Sequence, residues 1–330
     1  MFRLDFLFLL CQDKRKSSCV NNYFCSAAKK TFKFPVTILH PLYHKGNFKL
    51  LAMKKQAFLL VLSFFVITLH TNAQQAFRVT VTGKGAPVLL FPGFACTGEV
   101  FDETVKALSQ QYECHVFTFA GFGTVPAIEK PWLPKIKDQV VAYVKEKKLN
   151  NAVIIGHSLG GTLGLWLAAT EQTLFKKVIA VDALPCTGAL MMPNYNSATM
   201  VYDNPYSKQM LQTDTATFRT QAKQQVAFMM LNKEKQSMVV DWMMQADRET
   251  YVYGYVDLLK LDLREEVANI NVPVVVLAAT HPNKAMIEKT YNEQYAKLGN
   301  KVFHYADQSA HFVMYDQPDW YLTKIKENIQ

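Results

Sequence analysis

Residues 152–170 read AVIIGHSLGGTLGLWLAAT. Ala152–Ile155 is a short apolar run, the pattern of a strand. Residues 159–170, rich in leucine and small side chains, read as a helix. Between them, Gly156-His157-Ser158-Leu159-Gly160-Gly161 has to reverse the chain sharply. A strand–turn–helix of this kind lifts Ser158 above the sheet edge in a strained backbone conformation. Bulky side chains at 156 and 160 would obstruct the turn, and glycine at 161 lets the helix approach the neighbouring strands. The helix start behind Ser158 supplies free N–H groups and the positive end of a dipole. The G-x-S-x-G spacing alone is a weak signal; the strand before it and the helix after it give it content.

Working outward, strands are expected at 76–82, 88–91, 115–119, 178–181, 272–279 and 301–305. Helices are expected at 99–110, 135–148, 284–298 and 317–328, the second with Ile136, Val140 and Val144 on one face. This alternation predicts a mostly parallel α/β sheet flanked by helices. The rhythm breaks between Val181 and Val272, a gap of about 90 residues. Amphipathic spacing there predicts helices at 215–232, 234–246 and 248–261, a cap of about 184–266 lying over one end of the sheet. Its methionines (Met191, Met192, Met229, Met230, Met243, Met244) read mainly as helix core, the alternative being an adaptable apolar pocket.

From the elbow Gly156, His157, Gly160 around Ser158, the chain resembles the α/β-hydrolase superfamily over nearly all of 76–330. The resemblance implies an α/β-hydrolase fold with Ser158 as nucleophile. A serine hydroxyl is a poor nucleophile near neutral pH and needs a base. The superfamily carries that histidine after its last strand, where this chain has Ala306-Asp307-Gln308-Ser309-Ala310-His311-Phe312. His311 takes the role by position. His157 is expected to pack locally, His304 lies within a strand, and His281 stands where the superfamily often keeps its acid. By the same resemblance, the oxyanion hole is formed by the N–H groups of Leu159 and of Phe94, in the loop Pro92-Gly93-Phe94-Ala95-Cys96. Cys96 reads as packing. The acid departs from the usual pattern, because Thr280-His281-Pro282-Asn283 holds no carboxylate. Asp182, ending the strand VIAVD, is the favoured acid; Asn283, Glu288 and Asp307 are the other candidates. Together these imply a serine hydrolase of carboxylic esters or related acyl bonds. The alternatives are an aminopeptidase, acyltransferase or C–C hydrolase on the same triad, or a ligand-binding protein that kept the fold.

The 330 residues carry a net charge of +9, but its distribution decides what it means. Residues 1–52 hold nine Lys/Arg and two Asp/Glu, while 74–330 hold 25 of each. The net charge of the main domain 74–330 is therefore zero and gives no support to a nucleic-acid surface. A small-molecule acyl substrate is the expected partner, with no cofactor and no metal: the six cysteines are scattered without C-x-x-C spacing. From Met53, Met-Lys-Lys-Gln is followed by the apolar run 57–69 and by small residues at Thr71 and Ala73. This is the pattern of a signal peptide spanning 53–73, and its run is short of the roughly 20 residues needed to cross a bilayer. The expectation is export, to the periplasm or beyond in a bacterium, and no stable membrane anchor after cleavage. Residues 1–52 show no regular period; they are expected to be a non-native or disordered extension ahead of a true start at Met53.

Overall fold

The computed structural model describes residues 74–330 apart from Pro193; the expected signal peptide 53–73 and the extension 1–52 lie outside the described residues. Seven strands form one sheet: β1 (Phe77–Thr82), β2 (Ala86–Phe91), β3 (Tyr112–Phe119), β4 (Ala152–His157), β5 (Phe175–Val181), β6 (Val274–Ala279) and β7 (Lys301–Ala306). Their order is β1-β3-β2-β4-β5-β6-β7. Only β1 runs antiparallel, on β3; the other pairs are parallel. β4 and β6 are buried along their whole length, which is why they read as unbroken apolar runs rather than alternating ones. The strand order reverses between β2 and β4, and open α/β sheets bind ligands at the carboxyl ends of strands beside such a reversal.

A short turn joins β1 to β2, and helices α1 (Asp102–Leu108), α2 (Trp132–Glu146) and α3 (Leu159–Thr170) connect β2 to β3, β3 to β4 and β4 to β5. α3 is buried nearly throughout, which explains its lack of a polar face. Five helices separate β5 from β6: α4 (Thr187–Met191), α5 (Pro205–Gln212), α6 (Thr215–Met229), α7 (Lys233–Gln245) and α8 (Arg248–Lys260). The last four each begin where an Asn or Asp side chain accepts a backbone N–H: Asn204, Asp214, Asn232 and Asp247. Such N-caps stop one helix from running into the next. α8 lies on α2, where Asp257 accepts N–H bonds from Trp132 and Leu133 at 2.6 and 3.1 Å. Met192, Met230 and Met243 are buried in the hydrophobic interior. After β6 come α9 (Lys284–Gln294), α10 (Val313–Asp316) and α11 (Pro318–Asn328).

Some boundaries differ from the sequence expectation for visible reasons. The expected helix 99–110 is a 3-10 turn at Gly98–Phe101 followed by α1. β6 starts at Val274 because Pro273 has no N–H to give the ladder, although its carbonyl still accepts from Val178. α4 and α5 were not expected, since their segment carries no apolar period. Cys96, Cys114 and Cys186 are free and buried.

Candidate active site

Ser158 stands between β4 and α3 with φ +52° and ψ −120°, a region that non-glycine residues enter only when their surroundings force it. The forcing is visible. Ser158 N–H donates to the Val181 carbonyl at 2.9 Å, and its own carbonyl receives the Thr162 N–H at 3.0 Å. A Cβ on Gly156 would lie 2.3 Å from the Gly160 carbonyl, and one on Gly160 would lie 2.0 Å from the Phe91 carbonyl oxygen. The turn therefore exists only with glycine at both positions. Ser158 is half-buried at the carboxyl end of β4.

Asp182 follows β5, the next strand over, also with positive φ (+44°). One carboxylate oxygen, Oδ2, lies 2.6 Å from His311 Nδ1. The other, Oδ1, accepts the Ala279 N–H at 2.9 Å and the Tyr291 hydroxyl at 2.8 Å. Burial opposes a charge on Asp182. The hydrogen bond and charge of His311, with the Ala279 N–H and the Tyr291 hydroxyl, outweigh it and hold the carboxyl below the ordinary range. With Asp182 ionised, the proton between them belongs to His311 Nδ1, so that in the neutral form of the ring Nε2 is the acceptor. The other three acid candidates do other work. Asn283 caps α9 by accepting from Met286 N–H. Asp307 pairs with Lys284 at 3.0 Å on an exposed face. The charge of Glu288 acts on Lys284 and Tyr305. Tyr291 was missed in the sequence, though Tyr291 and Tyr295 recur four residues apart on an expected helix that follows the sheet. Both turn inward, Tyr295 donating to the Ala183 carbonyl at 2.8 Å.

The loop carrying His311 is held residue by residue. The Ser309 carbonyl accepts from Thr280 and His281 N–H at 3.1 and 2.9 Å. The Ala310 N–H donates to Asp316 Oδ2 at 2.8 Å. The His311 carbonyl accepts from His157 Nε2 at 3.0 Å, and the Phe312 N–H reaches the Met229 carbonyl at 3.2 Å. His157 does not merely fill space beside Ser158. Its ring lies 4.7 Å from that of His311. Burial first, then the charge of His311, push its pKa down to about 3. A carbonyl can only accept, so the His157 proton sits on Nε2, and Nδ1 is left without a partner beside Gly93.

Gly93 opens the loop of the expected oxyanion donors. The Cys96 N–H turns back to the Gly93 carbonyl at 3.1 Å, and Ala95 has φ +59°. The Leu159 N–H lies at the first position of α3, where helices leave their N–H groups unpaired. The Phe94 ring is enclosed by Phe122, Trp132, Tyr251 and Tyr255, with centroids 5.2 to 6.0 Å away. Two of these come from α8, so the helices between β5 and β6 reach the rim of the site. Cys96 is buried and its thiol is pushed up to about 12 by desolvation, too high for a nucleophile.

A sheet of this order, an elbow serine after its fourth strand and an aspartate–histidine pair at the same edge narrow the choice of family. The sequence pattern described as the alpha/beta hydrolase family matches residues 88–323. The chain belongs to the alpha/beta hydrolase family. Similar members of known activity include a pimeloyl-[acyl-carrier protein] methyl ester esterase of Vibrio campbellii, 24% identical over 74% of this chain and 95% of its own. The 3-oxoadipate enol-lactonase 1 of Acinetobacter baylyi is 22% identical over 76% of this chain and 92% of its own. Among solved structures, the enol-lactonase from Burkholderia xenovorans LB400 superposes with a TM-score of 0.65 at 17% identity, covering 76% of this chain and 95% of that one.

Proposed function

We propose that this alpha/beta hydrolase is a serine hydrolase of carboxylic esters, lactones included. The observation that carries the reading is the strained Ser158 at the carboxyl end of β4, with the 2.6 Å His311–Asp182 pair at the same sheet edge. His311 Nε2 takes the Ser158 proton as Oγ attacks the ester carbonyl. The Phe94 and Leu159 N–H groups receive the developing oxyanion. His311 then protonates the departing alcohol, and water, deprotonated by the same nitrogen, releases the acid from the acyl-enzyme. The relatives act on ester and lactone bonds, which favours an oxygen leaving group over an amine. The cap region 184–266 carries eight Lys/Arg and ten Asp/Glu, a near balance that gives little steering for a charged macromolecular carrier. That favours a free small-molecule ester as substrate.

The test is fluorophosphonate labelling of the folded protein, then a panel of p-nitrophenyl esters and amino-acid anilides. Ester turnover with label on Ser158, both abolished in Ser158→Ala, is the expected result. Turnover of anilides alone would move the activity to peptides; no labelling of Ser158 would favour a binding protein. We further propose that residues 53–73 direct export. A mature N-terminus at Gln74, read by mass spectrometry of the natural protein, is the expected outcome, and peptides from 1–52 in that product would refute it.

A further inference from the structure

We infer that Asp316 is a positioning residue that locks the helical cap and the His311 loop into one mechanical unit, so that cap seating and base placement rise and fall together. The inference rests on the reading of His311 as the base. Asp316 ends α10, five residues beyond His311. Its Oδ1 accepts two N–H groups from the turn between α6 and α7, Leu231 at 2.9 Å and Asn232 at 2.8 Å. Its Oδ2 accepts the Ala310 N–H at 2.8 Å. One half-buried carboxylate therefore joins the start of α7 to the residue immediately before the base. The junction is reinforced on both sides: Asn232 Nδ2 donates to the Tyr315 carbonyl at 3.0 Å, and the Phe312 N–H donates to the Met229 carbonyl.

The chemistry of the carboxylate matters. Three donors converge on it, and a charged acceptor makes each bond stronger than a neutral one. If the 230–232 turn lifts to admit substrate, Asp316 loses two of its three partners. The Ala310 anchor then hangs on a side chain free to rotate, and the His311 backbone loses one of the ties that hold its ring against Asp182. An amide at 316 cannot replace the carboxylate, because its NH₂ group would face either Ala310 N–H or the Leu231–Asn232 pair.

The experiment is hydrogen–deuterium exchange on the full chain, paired with ester kinetics in which active sites are counted by fluorophosphonate. In the wild-type protein, segments 229–233 and 309–312 should show protection within about threefold of each other, because they open together. Protection differing by about a hundredfold or more would overturn the coupling without any variant and regardless of catalysis. Asp316→Ala should raise exchange in both segments and cut kcat per titrated site by about 10- to 100-fold, with KM changed by less than about threefold. Asp316→Asn, the milder change, should release one segment more than the other and lose less activity. Faster exchange confined to one segment in Asp316→Ala, or an unchanged kcat per titrated site, would reduce Asp316 to a local brace and overturn the proposal. Should wild-type protein neither hydrolyse esters nor take the label, the exchange result still decides the mechanical coupling, and only the catalytic reading falls.

Discussion

Replacing Asp182 with asparagine tests the site most sharply, because the hydrogen bonds dictate how the new amide must sit. Oδ1 of Asp182 faces two donors, the Ala279 N–H and the Tyr291 hydroxyl, and the backbone N–H has no other role to play. The asparagine carbonyl must take that place. Its NH₂ then falls where Oδ2 now meets His311 Nδ1 at 2.6 Å. Two donors cannot face each other, so the imidazole proton shifts to Nε2, the nitrogen needed to accept from Ser158. The volume is unchanged and the fold should persist. The expected loss in kcat is about 10⁴-fold, about 5 kcal/mol of barrier, with KM changed only several-fold. Measuring p-nitrophenyl acetate hydrolysis and fluorophosphonate labelling rates, with circular dichroism to verify folding, checks it. A folded variant within about tenfold of wild-type kcat would refute the tautomer argument and move the acid elsewhere. The same pair predicts a pH effect on stability. The Asp182 carboxyl titrates lower in the folded chain than the ordinary 3.8, so its contribution is complete above about pH 4 and is lost as pH falls through the depressed value. The stability gap between wild type and Asp182→Asn should therefore narrow below about pH 4 in thermal melts.

Three further outcomes are expected. Tyr291→Phe removes one donor to Asp182 and should lower kcat by about tenfold without loss of fold; unaltered kinetics would show that Ala279 alone suffices. Gly160→Ala drives a methyl to 2.0 Å from the Phe91 carbonyl oxygen and should cost roughly 3 kcal/mol, seen as a melting point about 6–12 °C lower; a melting point within about 2 °C of wild type would contradict the packing. His157 stays neutral when folded, with its pKa pushed down from the ordinary 6.5 to about 3, so it favours folding fully above pH 6.5 and progressively less as pH falls towards 3. His157→Phe should flatten the stability profile across that window and lower kcat by about tenfold, since the His311 carbonyl loses its donor; an unchanged slope would place the acid sensitivity elsewhere.

The parts of this molecule legible in its sequence are those fixed by short-range physics. The apolar runs of β4, β5 and β6 and the glycines about Ser158 carry their geometry locally, and an α/β sheet with a helical cover follows from their spacing. Asp182 was readable as a residue ending a strand, because parallel neighbours end at the same sheet edge. What escaped depends on side chains meeting across long separations. Tyr291 lies 109 residues from the carboxylate it supports, and Asp316 lies 84 and 85 residues from the two cap amides it binds. Nothing in the local pattern distinguishes Tyr291 from any inward-facing tyrosine, or Asp316 from any acid ending a short helix. His157 escaped differently: the sequence put it next to Ser158, but only the packing shows its Nε2 reaching the backbone of His311. α4 and α5 were hidden because the stretch 187–212, interrupted by Pro193, Asn194, Asn196, Asn204 and Pro205, gives no period to count.

Among the described residues, the three thiols are all buried and shielded from redox chemistry. Desolvation raises Cys96 to about 12 and Cys114 to about 11, and raises Cys186 as well, so hardly any thiolate exists at neutral pH to start disulfide exchange. The folded region 74–330 therefore keeps these three thiols reduced in reducing and oxidising surroundings alike.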